Sequence, residues 1–140
     1  MKYTILLPVD GSEGSRKAIE MAKRLAKHED ARIILLHAVD IRPRTSEYYA
    51  YDNVVVEAMK KSAQLVIKDA TEMLKGYDVV PVTTIGRAGD EIVSYATNEH
   101  VDLIVMATRG LGAVERFFVG SVTTYVLHHS PVPVLSIPMR

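Results

Sequence analysis

Five apolar runs divide the chain: residues 3–9 (YTILLPV), 32–39 (RIILLHAV), 79–85 (VVPVTTI), 101–107 (VDLIVMA) and 132–138 (VPVLSIP). The first, second and fourth are nearly continuous rather than alternating, the pattern of parallel strands buried on both faces. Between the runs the apolar spacing changes to threes and fours. Residues 13–28 set Ala18, Met21, Ala22 and Leu25 on one face, after Ser12 as a candidate cap. The stretch 50–75 carries Val55, Met59, Ala63, Val66, Ile67, Ala70 and Leu74 at helical spacing, and Gly76 follows as a stop. A third helix over 88–99 turns Ile92, Val93 and Ala96 to one side. A fourth over 121–129 places Val122, Val126 and Leu127 inward, with Pro131 just beyond its end.

Strict alternation of strand and helix predicts an α/β fold: an open five-stranded parallel sheet, Rossmann-like, with right-handed crossovers and helices on both faces. No repeat, low-complexity tract or linker interrupts the pattern, so residues 1–140 are expected to form a single domain. The one long polar connection is 41–49 (IRPRTSEYY), where a mobile loop is expected.

Composition narrows the functional classes. Seventeen basic residues balance seventeen acidic ones, which removes the electrostatic footprint of a nucleic-acid or anionic-membrane binder. A zero net charge also leaves little repulsion against self-association. The absence of cysteine excludes disulfides and thiolate metal sites. The N-terminal run is broken by Pro8 and Asp10, too early for a signal-peptide core, and no stretch reaches the ~18 apolar residues of a membrane span. A soluble, cytoplasmic protein is the expectation.

Ligands of open parallel sheets bind beyond the carboxyl ends of the strands, so the residues there carry the candidate chemistry. After the fourth run, Gly110 and Gly120 flank a nine-residue spacer, and Ser121 follows the second glycine. A bare backbone before a helix start, with the amides of Ser121, Val122 and Thr123 and two hydroxyls, suits a phosphate. The competing reading makes Gly110 a turn and Ser121 an ordinary helix cap. Asp10, after the first strand, can accept from a ribose hydroxyl or a base amine, help hold a metal, or serve as an Asx-type cap beside Gly11.

Other signatures fail. No P-loop occurs, and GLGAVE (110–115) has Glu115 where a dinucleotide fingerprint needs its third glycine. A response-regulator receiver needs an acid pair after the first strand and an Asp after the third, where Gly86 stands. There is no G-x-S-x-G nucleophile elbow and no metal-ligand spacing among the five histidines. His37, in an apolar strand, reads as a hydrogen-bonded core residue, and His128 and His129 favour a helix C-terminus. Tyr48, Tyr49 and Tyr51 read as helix-start packing.

Taken together, YTILLPVDGSEGSRKAIEMA, ILLHAVD and DLIVMATRGLGAVERFFVGSVTTYVLHHSPVPVLSIP resemble the universal stress protein family over essentially the whole chain. Nucleotide-binding members of that family carry G-x-x-G-x(9)-G-[ST] in the last segment. Gly110, Gly120 and Ser121 match it, and Ala107 replaces its first glycine. The resemblance implies an ATP site, with Mg accompanying the triphosphate. Pro8, Val9 and Asp10 would line its adenosine part, and Ala38 would meet adenine through its backbone. Met106 and Ala107 would floor the pocket, with Arg109 and Gly110 flanking the ribose–phosphate path. Gly120, Ser121, Val122 and Thr123 would cradle the phosphates. It also implies a homodimer through the C-terminal strand, residues 132–138.

The expected function is a nucleotide-dependent regulator of stress response, serving a protein partner the sequence does not name, rather than a fast enzyme. The alternatives are an ATP-independent dimeric interaction module of the same fold, and a slow ATPase or self-phosphorylating protein using Ser121 or Thr123.

Overall fold

The computed structural model describes residues 2–28, 30–41, 53–108 and 120–138. Along the chain come β1 (Tyr3–Pro8), α1 (Glu13–His28), β2 (Ala31–Val39), α2 (Asn53–Met73), β3 (Asp78–Ile85), α3 (Ala88–Asn98), β4 (Leu103–Ala107), α4 (Ser121–His129) and β5 (Val134–Ile137). The strands form one sheet in the order β3-β2-β1-β4-β5. Every pairing is parallel, from Tyr3↔Ala31 at the bottom of β1 and β2 to Ala107↔Ile137 at the top of β4 and β5. The open five-stranded parallel sheet expected from the alternation is the one observed.

The continuous apolar runs are explained by the two faces they fill. Ile5 and Leu7 of β1, Ile33 and Leu35 of β2 and Val105 of β4 enter one core beneath α1 and α2, with Ala18, Ile19, Ala22, Ala70 and Leu74. The residues between them, Leu6, Ile34, Leu36, Ile104 and Met106, enter a second core beneath α3 and α4, with Ile92, Ala96 and Val126. Strand alternation thus sends successive side chains into opposite layers. Leu6, Leu35 and Ile104 are fully buried, each worth about 1.5–3 kcal/mol relative to exposure.

Local signals set the helix limits. The Ser15 amide donates to Ser12 Oγ at 3.2 Å, the N-cap bond expected at the start of α1. Beyond α2, Gly76 takes φ +92, a left-handed turn that a side chain would strain.

Two expectations change. On α4 the inward positions are Thr123 and Val126, whereas Val122 and Leu127 are 37% and 47% exposed. A nine-residue helix against a sheet edge has room for only a narrow buried stripe, and those two residues flank it. On α2 the apolar stripe divides. Ala70, and Leu74 just past its end, are buried in the core, whereas Ala63 is buried against a cleft that Met59 and the 38% exposed Val55 also line. The loop and tyrosine cluster expected from residue 42 to Tyr51 lie outside the described residues.

At the opposite end of the sheet from the cleft, Lys2 Nζ donates to Asp78 Oδ2 at 2.8 Å, and Arg32 Nε lies 3.5 Å from the same oxygen. The Lys2 hydrogen bond, backed by both positive charges, outweighs partial desolvation and holds the Asp78 carboxyl below its usual pKa. A carboxyl with a lowered folded pKa contributes stability above its unfolded pKa and loses it as pH falls through the folded one. Asp78→Asn is therefore expected to lower the urea midpoint slightly at neutral pH, with the gap closing in strong acid. A gap that stays constant across that range would show the pair to be energetically inert.

Candidate functional site

In sequence β1 is followed by β2 on one side, while β4 lies on its other side. The connections leaving β1 and β4 therefore diverge, and a crevice opens above their carboxyl ends. A cleft of about 1170 Å³ occupies that place. Pro8, Val9 and Asp10 line it from β1, Ala38 from β2, and Met106 and Ala107 from β4. Gly120, Ser121, Val122 and Thr123 line it from the start of α4. The structure thus brings together ten residues singled out in the sequence. Arg109 and Gly110 lie outside the described residues.

The β1–α1 turn is held at nearly every polar group. The Val9 amide donates to Leu36 O at 2.9 Å, extending the ladder one residue past β1. Gly11 turns the chain at φ +83. The Ser12 amide and the Ser15 hydroxyl both donate to Asp10 Oδ1, at 2.9 and 2.8 Å, while Ser15 Oγ accepts from the Asp10 amide at 2.9 Å. Asp10 therefore makes the Asx-type turn and lines the cleft as well. Ser15, 7% exposed, completes this turn and was missed in the sequence. Its position five residues after Asp10 is the only local signal.

At the β4–α4 connection the Gly120 amide donates to Thr108 O at 2.8 Å, tying the start of α4 to the end of β4. Gly120, not Ser121, is the N-cap, with φ −63 and ψ 157, and it makes no side-chain cap bond. Any residue adopts that conformation, so the backbone itself does not ask for glycine here. The first helical bond runs from the Thr124 amide to Gly120 O. The amides of Ser121, Val122 and Thr123 consequently have no partner within the helix.

The Thr123 hydroxyl does not serve as the second donor that spacing suggested. Thr123 is 2% exposed, and its hydroxyl donates to Ala107 O at 2.8 Å, fastening α4 to the end of β4. Ala107 itself carries no backbone strain, since His100 is the only described non-glycine residue with positive φ.

The remaining walls come from α2 and α3. Val54, Val55, Ala58, Met59, Ser62 and Val66 of α2 form a mostly apolar side. Arg87, the N-cap of α3, and Asp90 stand at the rim beside Tyr125 of α4. The two helix starts are pressed together: a Cβ on Gly89 would sit 2.7 Å from Tyr125 Cδ1. A hydrogen bond with Asp90, reinforced by desolvation and the Asp90 charge, pushes the Tyr125 phenol pKa up. The Tyr125 ring also stacks on His129 at 4.1 Å. No short-range pattern joins Gly89 to Tyr125, so this wall was not readable in advance. Among the described residues no group of three or more His, Cys, Asp or Glu could hold a metal, and no helix is long and apolar enough to cross a membrane.

Known proteins share both the sequence and the fold. A universal stress protein in the QAH/OAS sulfhydrylase 3′ region of Thermus aquaticus is 36% identical over 138 residues, spanning 96% of this chain and 98% of the relative. The universal stress protein UspA from Lactobacillus plantarum superimposes with a TM-score of 0.83 at 28% identity, covering 98% of this chain and 99% of its own. The hypothetical protein MJ0577 gives 0.86 at 28% identity, covering 100% and 98%. More distant structures share the fold. A universal stress protein in complex with cAMP matches at 24% identity and TM-score 0.76, covering 99% of each chain. Two others match at 18% and 0.66: an Archaeoglobus fulgidus protein with dAMP, covering 98% of each, and an Arabidopsis thaliana protein with AMP, covering 96% and 90%. The model of the universal stress protein family matches residues 1–138, so the doubly wound sheet and the strand-end motifs have one common explanation. This chain belongs to the universal stress protein family.

Proposed function

We propose that this chain binds an adenine nucleotide in the cleft, ATP with Mg or a shorter relative, and acts as a nucleotide-dependent regulator. The observation that carries this reading is the start of α4. Three residues whose amides lack helical partners line a cleft at the strand ends, behind a glycine that the backbone conformation does not require. Such a terminus attracts an anion through its free donors and its dipole. The nucleotides held by family members of the same fold support the reading further.

In this arrangement Ser121, Val122 and Thr123 hold phosphate through backbone amides, with the Ser121 hydroxyl added and Gly120 leaving room for its approach. Pro8, Val9, Asp10 and Ala38 border the nucleoside, above a floor of Met106 and Ala107. The family motif would assign Arg109 and Gly110 to the path between. No carboxylate cluster among the described residues would hold magnesium alone, so the phosphates would carry the ion.

A regulator fits better than an enzyme because two of the three candidate reactive groups, Asp10 and Thr123 but not Ser121, are engaged. Asp10 Oδ1 is committed to Ser12 and Ser15, and the Thr123 hydroxyl to Ala107. The protein would work as a cytoplasmic homodimer joined at β5, its nucleotide state read by another protein. Native mass spectrometry of gently purified protein, followed by calorimetry with ATP and AMP, tests the proposal. One nucleotide per chain, or micromolar to millimolar binding, is the expected result; no binding of either would sink it.

A further inference from the structure

We infer that His37 is a ligand-contacting residue, presenting its Nε2 lone pair in the cleft to a hydrogen-bond donor on the nucleoside part of the ligand. This assignment rests on the adenine-nucleotide reading and gives that ligand a direction. His37 lies near the top of β2, half-buried, and lines the cleft beside Pro8, Val9 and Asp10. Its Nδ1 lies 2.7 Å from Val9 O. A carbonyl only accepts, so Nδ1 must carry the proton, and in the neutral ring that leaves Nε2 as an acceptor. The tautomer is therefore fixed by the end of β1.

Among the described residues the bond to Val9 is the only interaction His37 makes, so Nε2 has no partner there. Nor is it sealed inside the molecule: among the described residues the only enclosed side-chain polar atom without a partner is Thr84 Oγ1. His37 thus places an open acceptor in a cleft whose α2 wall is mostly apolar. An acceptor in such surroundings is best satisfied by water or by a ligand donor.

The two ends of the cleft then ask for opposite chemistry. The start of α4 offers donors and suits ionised phosphate oxygens. His37 offers a lone pair, which disfavours phosphate oxygens and suits a ribose hydroxyl or the adenine amine. A nucleotide satisfies both only with its phosphates toward α4 and its nucleoside toward β2.

His37→Asn separates the two nitrogens, because the Asn amide keeps a donor near the Nδ1 position and has nothing at Nε2. It is expected to melt close to wild type while binding AMP about five- to tenfold more weakly, the effect of one lost hydrogen bond. Inosine monophosphate and 2′-deoxy-AMP identify the donor: the variant's penalty disappears with the analogue that lacks it. In selectively ¹⁵N-labelled wild type, the unprotonated His37 Nε2 resonance is expected to shift on saturation with AMP, a readout independent of how the variant folds. Equal AMP affinity in wild type and a folded His37→Asn, or an Nε2 resonance unmoved by bound AMP, overturns the assignment while leaving nucleotide binding intact. Failure of the wild type to bind any adenine nucleotide removes both readings.

Discussion

Gly120→Val is expected to raise the dissociation constant for ATP or AMP by at least about a hundredfold while leaving the protein folded. The size follows from what stands at the start of α4. Phosphate there would be held by charge-assisted hydrogen bonds from the Ser121, Val122 and Thr123 amides, each worth about 1.5–3 kcal/mol, and losing two costs a hundredfold or more. A branched side chain on the cap residue would stand where the phosphate has to approach. The fold should survive because φ −63 and ψ 157 lie in a region valine adopts readily. The backbone bonds from the Gly120 amide to Thr108 O and from the Thr124 amide to Gly120 O need no particular side chain. Valine is a poor N-cap, so about 1 kcal/mol of stability should go. Calorimetry beside a thermal melt checks both halves. A folded variant that binds as tightly as wild type would show that the phosphates lie elsewhere.

The fold was legible because most of its strands are buried on both sides, and a doubly buried strand shows as an unbroken apolar run. The lower end of β4 was less clear. Val101 is apolar and 5% exposed, yet β4 begins only at Leu103, because Val101 fills the core from the turn below the sheet. Burial and strand pairing are separate demands, and apolar character reports only the first. The same limit applies to α2. Its periodicity marks a stripe turned toward the sheet, but one part of that stripe meets the core and another meets the cleft.

The candidate site was readable where it depends on chain-local chemistry, as at Gly120 and Ser121. It was obscure where a bond spans the fold. The Thr123 hydroxyl is claimed by a carbonyl sixteen residues earlier, and His37 is oriented by a carbonyl twenty-eight residues away. In sequence both look ordinary. Whether each faces ligand or protein is decided by strand ends that only the assembled sheet brings together.

Ser136→Pro is expected to convert the proposed dimer into a folded monomer. β5 is an edge strand whose residues Val134 and Leu135 are apolar and only partly buried, and such an edge invites pairing with another chain. A two-fold axis through it would pair the strand with its own copy, antiparallel, in a closed isologous contact. The β4–β5 ladder tells which groups are free to do this. The Ile104 amide donates to Pro133 O, and the Thr108 amide to Ile137 O. In a parallel strand alternate residues face the same neighbour, so Leu135 also faces β4, while Val134 and Ser136 present their amides and carbonyls to the open edge. Pro138, the next outward position, has no amide to offer. Proline at 136 would remove an outward donor from each protomer and spare the bonds to β4. Leu135→Pro would instead break the ladder inside the protomer and confuse unfolding with dissociation. Sedimentation velocity at tens of micromolar, with circular dichroism to confirm the fold, separates the cases. A wild type that sediments as a monomer, or a Ser136→Pro variant that remains dimeric, would rule out pairing through this edge.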